Sequence, residues 1–201
     1  MTIKVICVID NTVLKDTDLR GEHGLSFWIE SDKGVVLFDT GQTASVLSHN
    51  MESLGLSPQD INNLVLSHAH YDHTGGLEAI LSKNTKLTLH AHTDFFQPRY
   101  SLRKGEYMSI GIDMDKTAIE KHAKLMLSDV PTEVYPNLWT TGEITDRSDL
   151  EGRSNNHLIK VNDEWKPDPY RDDMSIVLKT SGGLVLICGC CHAGILNTLS
   201  H

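Results

Sequence analysis

Positive charge is scarce in this sequence: 18 Lys and Arg stand against 27 Asp and Glu, a formal net charge of -9. No basic stripe interrupts that balance. Binding to a nucleic-acid backbone needs a clustered positive field, so no nucleic acid is expected as the main partner. Anionic small molecules stay open, because a local metal site can hold them against the overall charge. Long apolar runs are missing too. None approaches the roughly 20 residues of a membrane span, and no membrane partner is expected. The first residues show no basic segment followed by an apolar stretch and a cleavage site, so no secretory leader is expected. Cysteine is sparse. Cys188, Cys190 and Cys191 crowd one segment and Cys7 stands alone, which is no spaced disulfide framework. A reduced, cytoplasmic setting is the expectation.

What is present suits one folded domain. The chain has 201 residues with 39% hydrophobic and 22% charged content, enough to bury a core and too apolar for disorder. Ile3–Ile9, Ser26–Glu30 and Val35–Phe38 read as strands, the last two as a hairpin over Ser31-Asp32-Lys33-Gly34. Thr43–Leu54 reads as a helix capped by Gly55, and Ser57-Pro58 as the start of a helical turn. Leu64–Leu66 and Lys86–Ala91 are short strands, with a helix over Gly76–Ser82 between them. Thr93–Met114 reads as a long irregular excursion of the type that shapes substrate pockets. Asp115–Leu127 reads as a helix, then Val134–Thr140, His157–Val161, Ser175–Thr180 and Leu184–Cys188 as strands, with Asn162–Asp173 a loop. Hairpins around strand–helix units predict an α/β (α+β) fold of two sheets with helices outside them.

Histidine is abundant, and seven of the eleven fall between His49 and His122. The densest run is His68-Ala69-His70-Tyr71-Asp72-His73, directly after an apolar strand. Two imidazoles one residue apart can grip one ion, and Asp72 with His73 a second beside it. Imidazole and carboxylate ligands at about 2.0–2.2 Å suit zinc, with iron and manganese as alternatives. Two ions roughly 3.5–4 Å apart can share a hydroxide and hold a substrate oxygen. Gly75-Gly76 lets the chain turn tightly into the next helix.

This run resembles the H-x-H-x-D-H motif of the metallo-β-lactamase-fold hydrolases, and Phe38-Asp39-Thr40-Gly41 resembles their upstream Asp motif. Gly21-Glu22-His23-Gly24-Leu25-Ser26, the text from Leu66 to Leu77, and Gly189-Cys190-Cys191-His192-Ala193-Gly194-Ile195 resemble a narrower subgroup. That subgroup is similar to dihydropterin ribofuranosylaminobenzene-phosphate synthase, with Cys191 where a serine is usual. The resemblance implies an αββα sandwich with the site at one edge of the sheets. It implies His68 and His70 on one divalent ion, Asp72 and His73 on the other, His192 completing part of the set, and Asp39 orienting an imidazole from behind. Members of the family usually continue further, with another strand–helix unit and one more His ligand. The single domain 1–201 is therefore expected to be C-terminally short, whether truncated, completed by a second copy in a homodimer, or impaired in metal binding.

Other candidates are weaker. His23 and His92 are held as pocket residues, and Asp173, beside Asp172, as a carboxylate near the metals. Arg99 near Phe95, Phe96 and Tyr100 suggests an anion-binding residue as readily as an aromatic cover. Cys190 and Cys191 read as small buried residues at a strand end, and His49, His122, His157 and His201 as surface residues. The expected function is metal-dependent hydrolysis of a small ester, phosphodiester or lactone-like substrate by a metal-bound hydroxide, with Asp72 handling its proton. The alternatives are a binding or regulatory protein on the same fold and, third, a di-iron oxidoreductase.

Overall fold

The computed structural model describes residues 2–201. The first half runs β1 (Lys4–Ile9), β2 (Ser26–Ser31), β3 (Gly34–Phe38), α1 (Ala44–Ser53), β4 (Ile61–Val65), α2 (Tyr71–Thr74), α3 (Leu77–Leu81) and β5 (Thr88–Ala91). There follow β6 (Arg99–Arg103), β7 (Glu106–Ser109), α4 (Lys116–Glu120), β8 (Lys124–Leu127), β9 (Thr132–Tyr135) and β10 (Leu138–Thr140). The chain closes with β11 (His157–Val161), β12 (Glu164–Pro167), β13 (Ser175–Thr180), β14 (Gly183–Cys188) and α5 (Ile195–Ser200).

A six-stranded sheet in the order β1-β2-β3-β4-β5-β8 forms the spine. Its central strands are buried on both faces. Val35 and Leu37 point into one core with Leu47, Met51, Leu77 and Ile80 of α1 and α3. Val36, Phe38 and Val65 point the other way, against Tyr135, Leu138, Ile176 and Leu178 of a second sheet, β14-β13-β10-β9. Near-continuous apolar text in β3 and β4 has this cause: alternate side chains fill two different cores. Helix α5 lies against the outer face of the second sheet, where Leu199 meets a groove lined by Trp139, Val177 and Leu186. This is the αββα arrangement expected, with the edge strand β14 leaving Leu184 exposed. No helix among the described residues is long and apolar enough to cross a membrane.

Strands β3, β4, β5 and β8 run parallel, with Phe38 level with Val65 and Val65 level with His90. The loops after them therefore leave the sheet side by side at one edge, where α/β sheets gather their ligands. Asp39 and His92 directly follow their strands, and Ser67–His70 follow β4 after Leu66, in three such loops.

Four stretches differ from the sequence expectations. Residues 93–114 contain the hairpin β6–β7, closed by Lys104-Gly105, both at positive φ. Its polar text, RYSLR and EYMS, hides the alternation. The helix expected over 115–127 ends at Glu120, and Leu125 and Leu127 instead pack on the first core from β8. The strand expected over 134–140 is a hairpin, because Pro136 lacks a ladder N–H and Asn137 takes φ 72°. The loop expected at 162–173 begins as a hairpin, with Asn162 and Asp163 both at positive φ between β11 and β12. The two hidden hairpins join into a third sheet, β12-β11-β6-β7, that stands over the edge where the loops converge.

Arg99 of β6 ties that sheet to the loops. It is 1% exposed, with ion-pair contacts of 2.8 Å to Asp172 Oδ1 and 3.2 Å to each of Asp168 Oδ2 and Asp94 Oδ2. The contacts to Asp168 and Asp172 fall short of hydrogen-bond alignment, and charge attraction carries them. Its guanidinium is thus occupied by protein carboxylates, and of the two readings held open for this segment the ligand-binding one for Arg99 falls away. Asp172 in turn accepts the Ala69 N–H at 2.9 Å between the first two histidines of the motif. Burial pushes the Asp172 carboxyl up to about 7, against the pull of Arg99. Replacing Arg99 by Met leaves buried carboxylates unpaired and should cost about 3–5 kcal/mol at neutral pH. A carboxyl whose folded pKa is raised favours folding below its unfolded value of about 3.9 and loses that contribution as pH climbs through the folded value. The deficit of Arg99→Met should therefore widen between about pH 5 and about pH 8, which urea unfolding at the two pH values measures.

Candidate metal centre

The His-rich loop is built by its neighbours. Asp39, at the end of β3, is fully buried with φ 58°, a left-handed conformation that Asp tolerates better than most residues. Its Oδ1 accepts the Ser67 N–H at 2.7 Å, and its Oδ2 accepts the Ser67 hydroxyl at 2.7 Å. The same Oδ2 lies 2.6 Å from His73 Nδ1. Helix α2 then presses on the β3–α1 loop so closely that a Cβ on Gly75 would fall 1.9 Å from the Gln42 carbonyl. From the other side, Gly189 passes Ser67, where a Cβ would meet the hydroxyl at 2.4 Å. Only glycine lets the β14–α5 loop bring Cys190 and His192 against the motif.

These contacts leave imidazole nitrogens facing one another. Ser67 Oγ gives its proton to Asp39, so it accepts from His68 Nδ1 at 2.8 Å and leaves His68 Nε2 bare. His192 Nδ1 donates to the Gly152 carbonyl at 3.1 Å, with the same result. The Nε2 atoms of His68, His70 and His192 are buried without a hydrogen-bond partner. One ligating atom from each of these three residues lies within 4.8 Å of the others, and a second such group joins His68, His73 and Cys190. His73 Nε2 is 3.1 Å from the Cys190 thiol and 3.4 Å from Asp72 Oδ2.

Electrostatics sort the group. Burial, reinforced by His73, His70 and His192, drives His68 well below the usual imidazole range. Burial with His192 and His157 takes His70 to about 2. Both are neutral, with a lone pair to offer. Burial opposes charge on His73 as well, but Asp39 outweighs it and holds this imidazole well above its ordinary value. For Asp72, burial is outweighed by His73, which keeps the carboxyl at about 2. Burial pushes the Cys190 thiol up, and the neighbouring imidazoles of His192 and His73 bring it below its ordinary value.

Unpartnered buried nitrogens are costly. A divalent cation would satisfy the three converging imidazoles together, so the residues present fit a metal centre. His68, His70 and His192 would hold one ion. His73, Asp72 and the Cys190 thiolate, beside His68, offer donors for another.

The structure thus brings His68, His70, Asp72, His73 and His192 together and puts Asp39 behind them. His23 joins them: its Nε2 is 3.4 Å from Asp72 Oδ2 at the rim of a cavity of about 220 Å³. His92 and Asp173 do not line that cavity. His92 is buried after β5, its Nδ1 accepting the Asp94 N–H. Asp173 is buried too, and Oδ2 accepts the Ala193 N–H at 2.8 Å, anchoring the loop of His192. His201 bonds the Thr141 carbonyl, away from the cluster. Cys190 was expected to be a packing residue and stands among the imidazoles instead. His157, expected on the surface, faces the cavity with its ring 5.1 Å from that of His70. Tyr170 drew no attention in the sequence. Its ring stacks on His192 at 4.3 Å, and burial raises its phenol to about 12. The signal for His157 was its parity within β11, which acquires meaning only once its partner β6 is known.

Residues 19–190 match the family described as the metallo-beta-lactamase superfamily, and the chain belongs to it. It is 32% identical over 207 residues to the 7,8-dihydropterin-6-methyl-4-(beta-D-ribofuranosyl)-aminobenzene-5'-phosphate synthase of Methanocaldococcus jannaschii, covering 97% of this chain and 70% of that one. It is 30% identical over 203 residues to an uncharacterized protein of the same organism, covering 99% of this chain and 73% of the other. Among solved structures, a metal-dependent hydrolase of the beta-lactamase superfamily superposes with a TM-score of 0.80 at 26% identity, over 99% of this chain and 70% of that one.

Asp39 fixes His73 and, through Ser67, His68. Asp39→Asn keeps the shape but removes the charge that orients both imidazoles. Metal affinity should fall by about 10–100-fold, measured by competition with a chromogenic chelator. An unchanged affinity would show that the imidazoles are held by packing alone.

Proposed function

We propose that this protein is a metal-dependent hydrolase of small ester, phosphodiester or lactone-like substrates, with zinc as the metal. The observation that carries the proposal is the set of three converging, buried, unpartnered imidazole nitrogens, two of them on residues that line a cavity, His70 and His192, with His68 buried behind them. Imidazole, carboxylate and thiolate together are a donor set that zinc accepts readily. When bound, divalent ions would supply Lewis acidity to a carbonyl or phosphoryl oxygen and to water.

The chain's own residues do the rest. Asp72, ionised at the cavity wall, accepts a hydrogen bond from attacking water and aims it. His23 steadies that carboxylate from the rim. Ile110 and the stacked Tyr170–His192 pair narrow the approach and exclude bulk water. Asp172 and Asp173 hold the two ligand-bearing loops by their backbone N–H groups, so the imidazoles keep their places while a substrate enters and leaves. The solved hydrolase with a TM-score of 0.80 supports this reading.

A second reading is synthase chemistry like that named for the Methanocaldococcus jannaschii relative, favoured by 32% identity over 97% of the chain. The two separate by turnover with and without a second organic reactant. Under the hydrolase reading, the purified chain should carry about two zinc per molecule. It should cleave at least one member of an ester, lactone and phosphodiester panel in water alone. His68→Ala with His70→Ala should abolish both metal and turnover while the circular dichroism spectrum stays folded. A chain with intact histidines that takes up no divalent ion under any loading condition sinks the proposal.

A further inference from the structure

The third sheet has two unlike faces. Outward, Tyr107 stacks on Trp165 at 3.9 Å and Tyr100 meets the same indole edge-on. Inward, the side chains are polar. Arg99, Ser101 and Arg103 alternate along β6 and share one face, and His157 of β11 stands directly opposite Ser101. Arg99 is consumed by the buried carboxylates. Arg103 is not. Among the described residues it forms no ion pair, although Glu106 stands across the hairpin from it. Its Nε donates to Ser101 Oγ at 3.2 Å, which aims the outer guanidinium edge along the inner face. Arg103 and His157 both line the cavity that also holds His70, Asp72 and His192.

Hydrogen bonding to Tyr170 favours one tautomer of His157. Tyr170 Oη accepts the Ser154 N–H at 3.0 Å, and its own proton has His157 Nδ1 as acceptor at 3.0 Å. The imidazole proton then sits on Nε2. The cavity thus has imidazoles with bare nitrogens on one wall, and a guanidinium with an N–H-bearing imidazole on the other.

We propose that Arg103 and His157 form a subsite for a negatively charged group of the substrate, a carboxylate or phosphate lying apart from the bond that is cleaved. The inference rests on the hydrolase reading for the word substrate, but the subsite itself does not. A planar guanidinium beside a fixed N–H donor matches the oxygens of such a group. In a chain with net charge -9, a cation without a carboxylate partner beside a metal centre also gives anions a local reason to enter. Volume limits the ligand: about 220 Å³ takes a small acid or a phosphorylated fragment, and a longer molecule extends past Arg103 into the groove beside Tyr71 and Ser109.

The test has a binding arm and a turnover arm, both on the zinc-loaded full chain. In the first, calorimetry follows inorganic phosphate binding. Arg103→Ala should loosen it at least about tenfold, with Arg103→Lys recovering part of the loss. His157→Phe should loosen it and His157→Gln should largely retain it. In the second, the hemisuccinate and acetate esters of 4-nitrophenol are compared, which share a scissile bond and differ in a distant carboxylate. The ratio of their kcat/KM values should favour the hemisuccinate and fall by about tenfold in Arg103→Ala. If no member of the ester, lactone and phosphodiester panel is cleaved but phosphate binding still depends on Arg103, the hydrolase reading fails and the subsite stands. If cleavage is robust and neither the ratio nor phosphate binding responds to Arg103, the subsite is wrong and the hydrolase reading stands. Wild-type protein that binds no phosphate at millimolar concentration also overturns the subsite.

Discussion

One buried carboxylate organises this protein's centre. Asp39 accepts from the Ser67 backbone and hydroxyl and from His73, so a single side chain sets two of the four converging imidazoles. Its left-handed backbone is mildly unfavourable, and it is tolerated because the three contacts over-determine it. Neighbouring glycines follow from the same constraint. Side chains at Gly75 or Gly189 would push away the segments that Asp39 gathers.

A second tier of buried charge works differently. Asp172 and Asp173 touch neither the cavity nor one another's partners, yet each holds a ligand-bearing loop by one backbone N–H. Burial raises both carboxyls, and Arg99 behind Asp172 and Arg147 and His192 around Asp173 oppose that shift. Carboxylates of this type contribute position more than stability, since a buried ion pair rarely outdoes an apolar replacement in free energy. Positional accuracy is what a metal centre needs from its surroundings.

The legible part of the molecule was the part written in local sequence. His68-Ala69-His70-Tyr71-Asp72-His73 follows a strand and carries its chemistry within six residues, and the apolar runs of β3 and β4 announce a central sheet. What stayed hidden was non-local. Strands β6, β7 and β12 are polar or partly exposed, so their hydrophobic alternation is faint, and they are held by pairing, β6 with β7 and β11, and β12 with β11. His157 and Arg103 could not be assigned to a cavity before that pairing was known. Asp173 and His92 illustrate the opposite error. Each is near a strand end, and each gives one polar atom to a backbone N–H and lines no part of the cavity.

This division suggests how one superfamily accommodates both a protein named as a hydrolase and one named as a synthase. His68, His70, Asp72 and His73 come from the segment after the buried strand β4, whose two faces serve two cores, while Cys190 and His192 follow the edge strand β14. The opposite wall comes from two hairpins paired through β6 and β11, where Arg99 is tied to Asp172 and so to the loop of Ala69, while Arg103 forms no ion pair among the described residues. On the proposed reading the sandwich sets the chemistry, and Arg103 and His157 of the hairpins set the recognition. Substitutions at Arg103 or His157 would alter which molecule is held against the imidazoles, while the imidazoles themselves stay where Asp39, Asp172 and Asp173 put them.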